Sequence, residues 1–139
     1  MKKAYPTFLT MTHDEKDTVL VEVPDLEILT EGYGIEDGIF MARDAIGLHG
    51  IYLEDEGKEM PEPSNISDLD VAKSEFADAG DTIVTLVDVD FVEYRRKIDN
   101  KSIRRNVTIP NWLNREAEAA GINVSRVLQE ALKEKLNLA

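Results

Sequence analysis

Two hydrophobic rhythms run along this chain. Ala4 to His13 is rich in Tyr, Phe, Leu, Met and Thr, and Thr18 to Val23 reads Thr-Val-Leu-Val-Glu-Val, with the polar Asp14-Glu15-Lys16-Asp17 between them. That pattern predicts a β-hairpin. Pro24-Asp25 breaks the second run, Leu26 to Thr30 allows a third strand, and Gly32-Tyr-Gly34 turns the chain. From Ile35 the period lengthens. Ile39, Ala42, Ile46 and Leu53 recur with Ala45 and His49 on one side, which predicts a helix with one buried face. Glu36 and Asp37 near its start suit the helix dipole. Pro61, Pro63, Ser64, Asn65 and Ser67 make Gly57 to Asp70 a loop, with a short helical turn between Asp68 and Ala79. Ile83 to Val92 returns to a β-prone run. The order ββ(β)αβ predicts an α+β fold over 1–94, an antiparallel sheet backed by a helix. Tyr94 to Asn100 offers few core residues, so 95–100 is expected to be a linker.

The remainder, 101–139, repeats neither rhythm for long. Ile103, Val107 and Ile109 share one side of an alternating segment, with Arg105 on that side too, while Arg104, Asn106 and Thr108 share the other. Pro110 suits the first turn of a helix. The following helix places Leu113, Ala117 and Ala120 on one face and ends at Gly121. Asn123 can cap a second helix, whose apolar positions Val124, Val127, Leu128, Ala131, Leu132 and Leu136 follow helical spacing. The unit reads strand, helix, helix.

Charge separates the same two parts. Met1 to Tyr94 holds 6 Lys and Arg against 23 Asp and Glu, a net of -17, whereas Arg95 to Ala139 holds 10 against 5, a net of +5, giving -12 in all. The acidic part repels nucleic acid and attracts basic partners; the basic tail does the reverse. The absence of cysteine excludes disulfides, thiolate nucleophiles and zinc-thiolate sites. No apolar run reaches membrane-spanning length, and Met-Lys-Lys leads into Tyr-Pro-Thr rather than a signal core. A cytoplasmic protein without membrane association is expected.

A strand and two helices of roughly 40 residues bury too little apolar surface to fold alone. The tail is therefore expected to dimerise, its lone strand pairing antiparallel with its copy about a two-fold axis. Val107, Ile109, Leu113, Val127, Leu128 and Leu132 would form the shared core. Such a ribbon fits the DNA major groove and presents Arg104, Asn106 and Thr108 to base edges: Arg to guanine, Asn to adenine, Thr to a base edge or thymine methyl. The simpler alternative is an exposed edge that carries charge against aggregation. With its Asn-Val-Thr-Ile-Pro strand end, Leu113, Gly121, Ser125 and the Val127-Leu128-Ala131-Leu132 helix, Ile103 to Leu138 resembles the ribbon-helix-helix DNA-binding repressors. The resemblance implies double-stranded operator DNA as a partner, base reading by Arg104, Asn106 and Thr108, and a phosphate held at Asn123, Val124 and Ser125. Unpaired amides and the helix dipole support that phosphate site independently. Lys101 and Arg105 are expected to add phosphate contacts, Arg105 by snorkelling from the apolar side.

The acidic part carries Val23-Pro-Asp-Leu26, Thr30-Glu-Gly32, a helix from Gly34 through Ala42 and Ala45, Met60-Pro-Glu-Pro-Ser64, and Leu86-Val-Asp-Val-Asp90 running into Tyr94. In that order, and with the tail, these resemble the HicB antitoxin family. The resemblance implies a partial RNase-H-like fold without catalysis that blocks a small basic mRNA-cleaving toxin, HicA, and a homodimer or higher oligomer that represses its own operon. Glu54, Asp55, Glu56, Glu59 and Glu62 are the acidic residues expected to meet the toxin, the alternative being a solvated face.

Asp88 and Asp90 share a strand face and would suit a divalent cation, but the first strand supplies no further carboxylate, so a polar strand face is the better reading. Neither catalysis, a metal nor a cofactor is expected. The competing function is a ribbon-helix-helix repressor whose acidic domain senses a metal or small ligand through His13 and His49.

Overall fold

The computed structural model describes residues 1–138 and divides the chain into two compact units, the second beginning at Ser102. In the first, the expected hairpin forms from β1 (Lys2–Met11) and β2 (Thr18–Val23), with Phe8 opposite Glu22 and Thr10 opposite Leu20. Asp14 shapes its turn by accepting the Thr18 backbone N–H at 2.8 Å, and these hydrogen bonds hold its carboxyl below the usual carboxylate range.

The third strand starts later than the residue pattern suggests. Pro24 to Leu26 forms a 3-10 turn with Leu26 buried, and β3 follows at Ile28–Tyr33. Asp25 holds this turn to the distant loop, its carboxylate accepting the Ser64 backbone N–H at 2.8 Å and the Ser64 hydroxyl at 2.6 Å. Gly32 lies within β3 rather than in a turn. A Cβ there would sit 2.6 Å from the backbone nitrogen of Gly38, so only glycine lets the helix start so close to the strand.

Helix α1 (Ile35–Asp55) and β4 (Asp81–Asp90) complete a four-stranded antiparallel sheet in the order β3-β2-β1-β4, with one helix against it. Ala42 and Ile46 pack with Tyr5, Leu9, Val19, Val21, Val23, Val87 and Val89 in one core. The opposite face of β1 is buried as well. Of three 3-10 turns, Ala77–Ala79 lies against β1 while Ile66–Asp68 and Val71–Lys73 lie against β4, and Glu22 anchors this stretch by accepting from the Ser74 hydroxyl and the Glu75 N–H, each at 3.0 Å. The residue pattern predicts only one helical turn in this stretch. Its many Asp and Ser side chains bond their own backbone, with Asn65 and Asp70 each accepting an N–H two residues on, so the segment breaks into three.

The segment read as a linker is largely helical. α2 spans Phe91–Ile98, taking Phe91 and Val92 from the expected end of β4. Asp90 caps it by accepting the N–H groups of Val92 and Glu93 at 3.1 and 3.3 Å. Asp90-Phe-Val-Glu93 is a capping signature that marks this helix start in the sequence. Tyr94 donates its hydroxyl to Asp44 at 2.6 Å, Arg95 pairs with Asp55 at 2.8 Å, and both tie α2 to α1. The basic cluster Arg95-Arg96-Lys97 occupies the last turn, where cations suit the dipole.

These contacts give an alkaline prediction. Burial, reinforced by Asp44, pushes the Tyr94 phenol from its ordinary 10.0 to about 12. Burial does the same to Tyr5, helped by Glu62 and Asp25, and Tyr5 donates its hydroxyl to the Pro61 carbonyl. In the unfolded chain both phenols ionise earlier, so their stabilisation is full below pH 10 and is lost as pH rises through about 12. Thermal midpoints are expected to fall across this window, and Tyr94→Phe to flatten the fall. A midpoint independent of pH in the original chain would contradict the assignment.

In the second unit, α3 (Asn111–Ala119) and α4 (Val124–Lys135) are both present. Gly121, at φ +66°, closes α3 as expected, with Ile122 N–H reaching back to the Ala117 carbonyl at 3.0 Å. Residues 101–109 form no strand. A strand is defined by its ladder, and one copy of this chain supplies no partner for it.

Candidate functional site

Two surfaces carry the residues singled out from the sequence, one in each unit. Lys101, which ends the first unit, and Arg104, Arg105, Asn106 and Thr108 of the second are exposed, as is the whole of 101–113. The apolar positions expected to form a shared core are uncovered as well: Val107 is 55% exposed, Ile109 38%, Leu113 42%, Val127 51% and Leu132 51%. Leu128 is half-buried. Neither helix has a buried residue. An uncovered apolar stripe of this kind is uncommon on a folded unit in water.

The first turn of α4 is capped by Asn123. Asn123 uses its side-chain oxygen to accept the Arg126 N–H at 3.1 Å, and its carbonyl accepts from Val127. The amides of Val124 and Ser125 have no partner within the described chain, so they face outward with the dipole behind them.

In the first unit, the five acidic residues expected to meet a basic partner separate into two groups. Glu54, Glu59 and Glu62 line a concavity of about 380 Å³ whose floor includes Met60 and Phe91. Lys3 also lines it and spends its charge on Glu62 at 2.9 Å. Asp55 instead turns to Arg95, which Glu54 also approaches at 3.5 Å, and Glu56 ends α1 outside the concavity. These carboxylates hold the Arg95 guanidinium in its charged form. What the sequence could not show is the apolar floor, since Met60 and Phe91 are brought together only by folding.

The residues considered for catalysis or metal binding have other work. Asp90 caps α2, and Asp88 receives Arg43 of α1, Nη2 to Oδ1 at 3.2 Å. His13 follows β1 and meets Asp81 at 2.7 Å. His49 lies in the far half of α1, next to Gly50, whose neighbour is Phe91 beside Met1 at the other end of the sheet. The two histidines therefore share no site within one chain. Among the described residues no helix is long and apolar enough to cross a membrane.

Residues 5–131 match the HicB-like antitoxins of bacterial toxin-antitoxin systems. The chain belongs to that family. The match spans the acidic sheet domain and most of the basic tail. The HicB-like fold is also similar to solved structures. One, from a toxin-antitoxin complex of Streptococcus pneumoniae, is 27% identical with a TM-score of 0.60, covering 97% of this chain and 99% of the other. Another, the antitoxin HicB of Burkholderia pseudomallei, is 28% identical with a TM-score of 0.51 and 97% coverage of both chains. No curated protein sequence matches this chain. Membership in an antitoxin family agrees with a binding role rather than a catalytic one, and with the separate duties found for Asp88 and Asp90.

Proposed function

We infer that this HicB-like chain is a cytoplasmic antitoxin and autorepressor. Its acidic domain, a partial RNase-H-like arrangement of sheet and helix, binds and neutralises a small basic HicA-like toxin that cleaves mRNA. Its tail pairs with a second copy through 103–109, forms a ribbon-helix-helix dimer or a higher oligomer, and binds a palindromic operator in its own promoter. The observation that carries this reading is the family match across both units of a chain whose charge changes sign between them.

Physical arguments support each half. A toxin that grips RNA presents a positive surface, and the first unit, which over 1–101 holds 10 Lys and Arg against 24 Asp and Glu for a net of -14, attracts it and competes with phosphate. In the tail, the exposed stripe from Val107 to Leu132 calls for a second copy, and a ladder between two copies would give 103–109 the partner it lacks. Pairing would then leave Arg104, Asn106 and Thr108 facing the groove, with the open amides of Val124 and Ser125 at the flanking phosphates.

The test is co-expression with the gene immediately beside this one. That gene is expected to encode a small basic protein that arrests growth alone, copurifies with this chain and is harmless beside it. A neighbour that is neither toxic nor bound would remove the antitoxin half of the reading.

A further inference from the structure

β4 is an edge strand; the turns Ile66–Asp68 and Val71–Lys73 lie against it, but part of its outer hydrogen-bonding edge is unused among the described residues. Hydrogen bonding in the sheet alternates strictly: Thr12 N–H bonds Thr18 on the β2 side of β1, while Phe91 N–H bonds Met1 on the β4 side. This parity turns the backbone groups of Ile83, Thr85, Val87 and Val89 toward β1 and those of Thr82, Val84, Leu86 and Asp88 outward. Arg43 confirms it by donating Nε–H to the outward carbonyl of Asp88 at 2.9 Å. That contact closes one end of the edge. No hydrogen bond within the described chain reaches the backbone groups of Thr82, Val84 or Leu86.

Edges are ordinarily blunted by lysine, proline or a bulge. β4 has none of these: its ten residues Asp81–Asp90 pair with β1 without interruption and contain neither Lys, Arg nor Pro. Instead it exposes apolar side chains on both faces, Ile83 at 42% on the side of α1 and Leu86 at 51% on the other. An incoming strand would find hydrogen-bonding groups from Thr82 to Leu86 and an apolar contact above and below.

The geometry points to β4 as the docking edge for a strand of the basic partner, extending the sheet from four strands to five. Charge selects this occupant. Asp81, Asp88 and Asp90 lie on the strand and Asp78 just before it; Arg43 pairs with Asp88 and His13 meets Asp81, but no basic residue lies on the strand and carboxylates outnumber these partners. A second copy would bring an identical acidic set to the junction, whereas a basic strand would neutralise it. The assignment rests on the antitoxin reading, because that reading supplies the basic partner.

The test uses the full chain and the basic protein encoded beside it, with residue-resolved amide exchange in the free and bound states. Thr82, Val84 and Leu86 amides are expected to exchange quickly in the free protein and to slow at least 10-fold in the complex. Ile83, Thr85 and Val87, already bonded to β1, are expected to change little. Leu86→Pro removes an outward N–H without touching the β1 ladder. It is expected to weaken partner binding roughly 10-fold or more while leaving the thermal midpoint and self-association near those of the original chain. Uniform or absent protection along β4, or unchanged binding by a folded Leu86→Pro protein, would overturn the edge assignment while leaving the antitoxin reading in place. Protection of the same amides on self-association alone would assign the edge to a second copy and overturn the proposal. Failure of the neighbouring protein to bind the original chain at all would remove both. If Leu86→Pro does not fold, the alternating exchange pattern still decides.

Discussion

Gly50→Ala is expected to destabilise the sheet domain by roughly 1 to 3 kcal/mol, the range for overpacking a well-filled core. The direction is opposite to helix propensity, by which alanine is better than glycine in a helix interior by about 1 kcal/mol. The reason is the neighbour. A Cβ at Gly50 would lie 2.2 Å from Cε1 of Phe91 and 2.5 Å from its Cδ1, far inside contact distance. Phe91 is 3% exposed and sits in the core between the Asp90 cap and Tyr94, so it has little room to yield. Gly47 meets the Tyr94 ring in the same way, with a Cβ 2.7 Å from Cγ. The two glycines let α2 press onto α1. Chemical denaturation would show a lower midpoint with an unchanged slope. A midpoint equal to or above the original would refute this close packing.

Val127→Asp is expected to abolish pairing of the tails and, with it, specific operator binding, while the sheet domain unfolds at its original temperature. Val127 belongs to the uncovered stripe of α4, and a carboxylate there would be buried without a partner in the shared core. Arg104→Ala should behave differently. It removes a proposed contact to a base edge but no apolar surface from the stripe, so the dimer should persist. Operator affinity should fall by roughly 1 to 3 kcal/mol, with relaxed preference at one base position. Sedimentation measures the first effect, and titration against operator variants at fixed salt measures the second. A monomeric Val127→Asp protein that still binds specifically, or an Arg104→Ala protein with unchanged preference, would sink the ribbon assignment.

Local patterns make much of the first unit legible in the residues alone. The hairpin and α1 follow from alternation and helical spacing, which act within a few residues. Differences arise where a local signal has two readings. Phe91-Val92 continues a β-prone run, yet Asp90 and Glu93 mark a helix start, and burial of Phe91 against Gly50 favours the helix. Arg95 to Lys97 resembles a basic linker in composition, yet those residues complete α2. The acidic loop shows the same limit for the site. Five carboxylates are visible in sequence, but which of them line the concavity and which meet Arg95 depends on where α1 ends relative to α2.

By itself, the sequence determined the reversal of charge, the periods of the hairpin and of α1, and the caps at Gly121 and Asn123, because each depends on side chains close along the chain. Tertiary structure alone decided which glycines must stay small, which carboxylates face the concavity and which edge of the sheet remains open. Those depend on residues far apart in sequence: Gly50 with Phe91, Asp25 with Ser64, Arg43 with Asp88. Helical and strand periods are local properties, but close approach and hydrogen-bond parity exist only once distant segments are brought together.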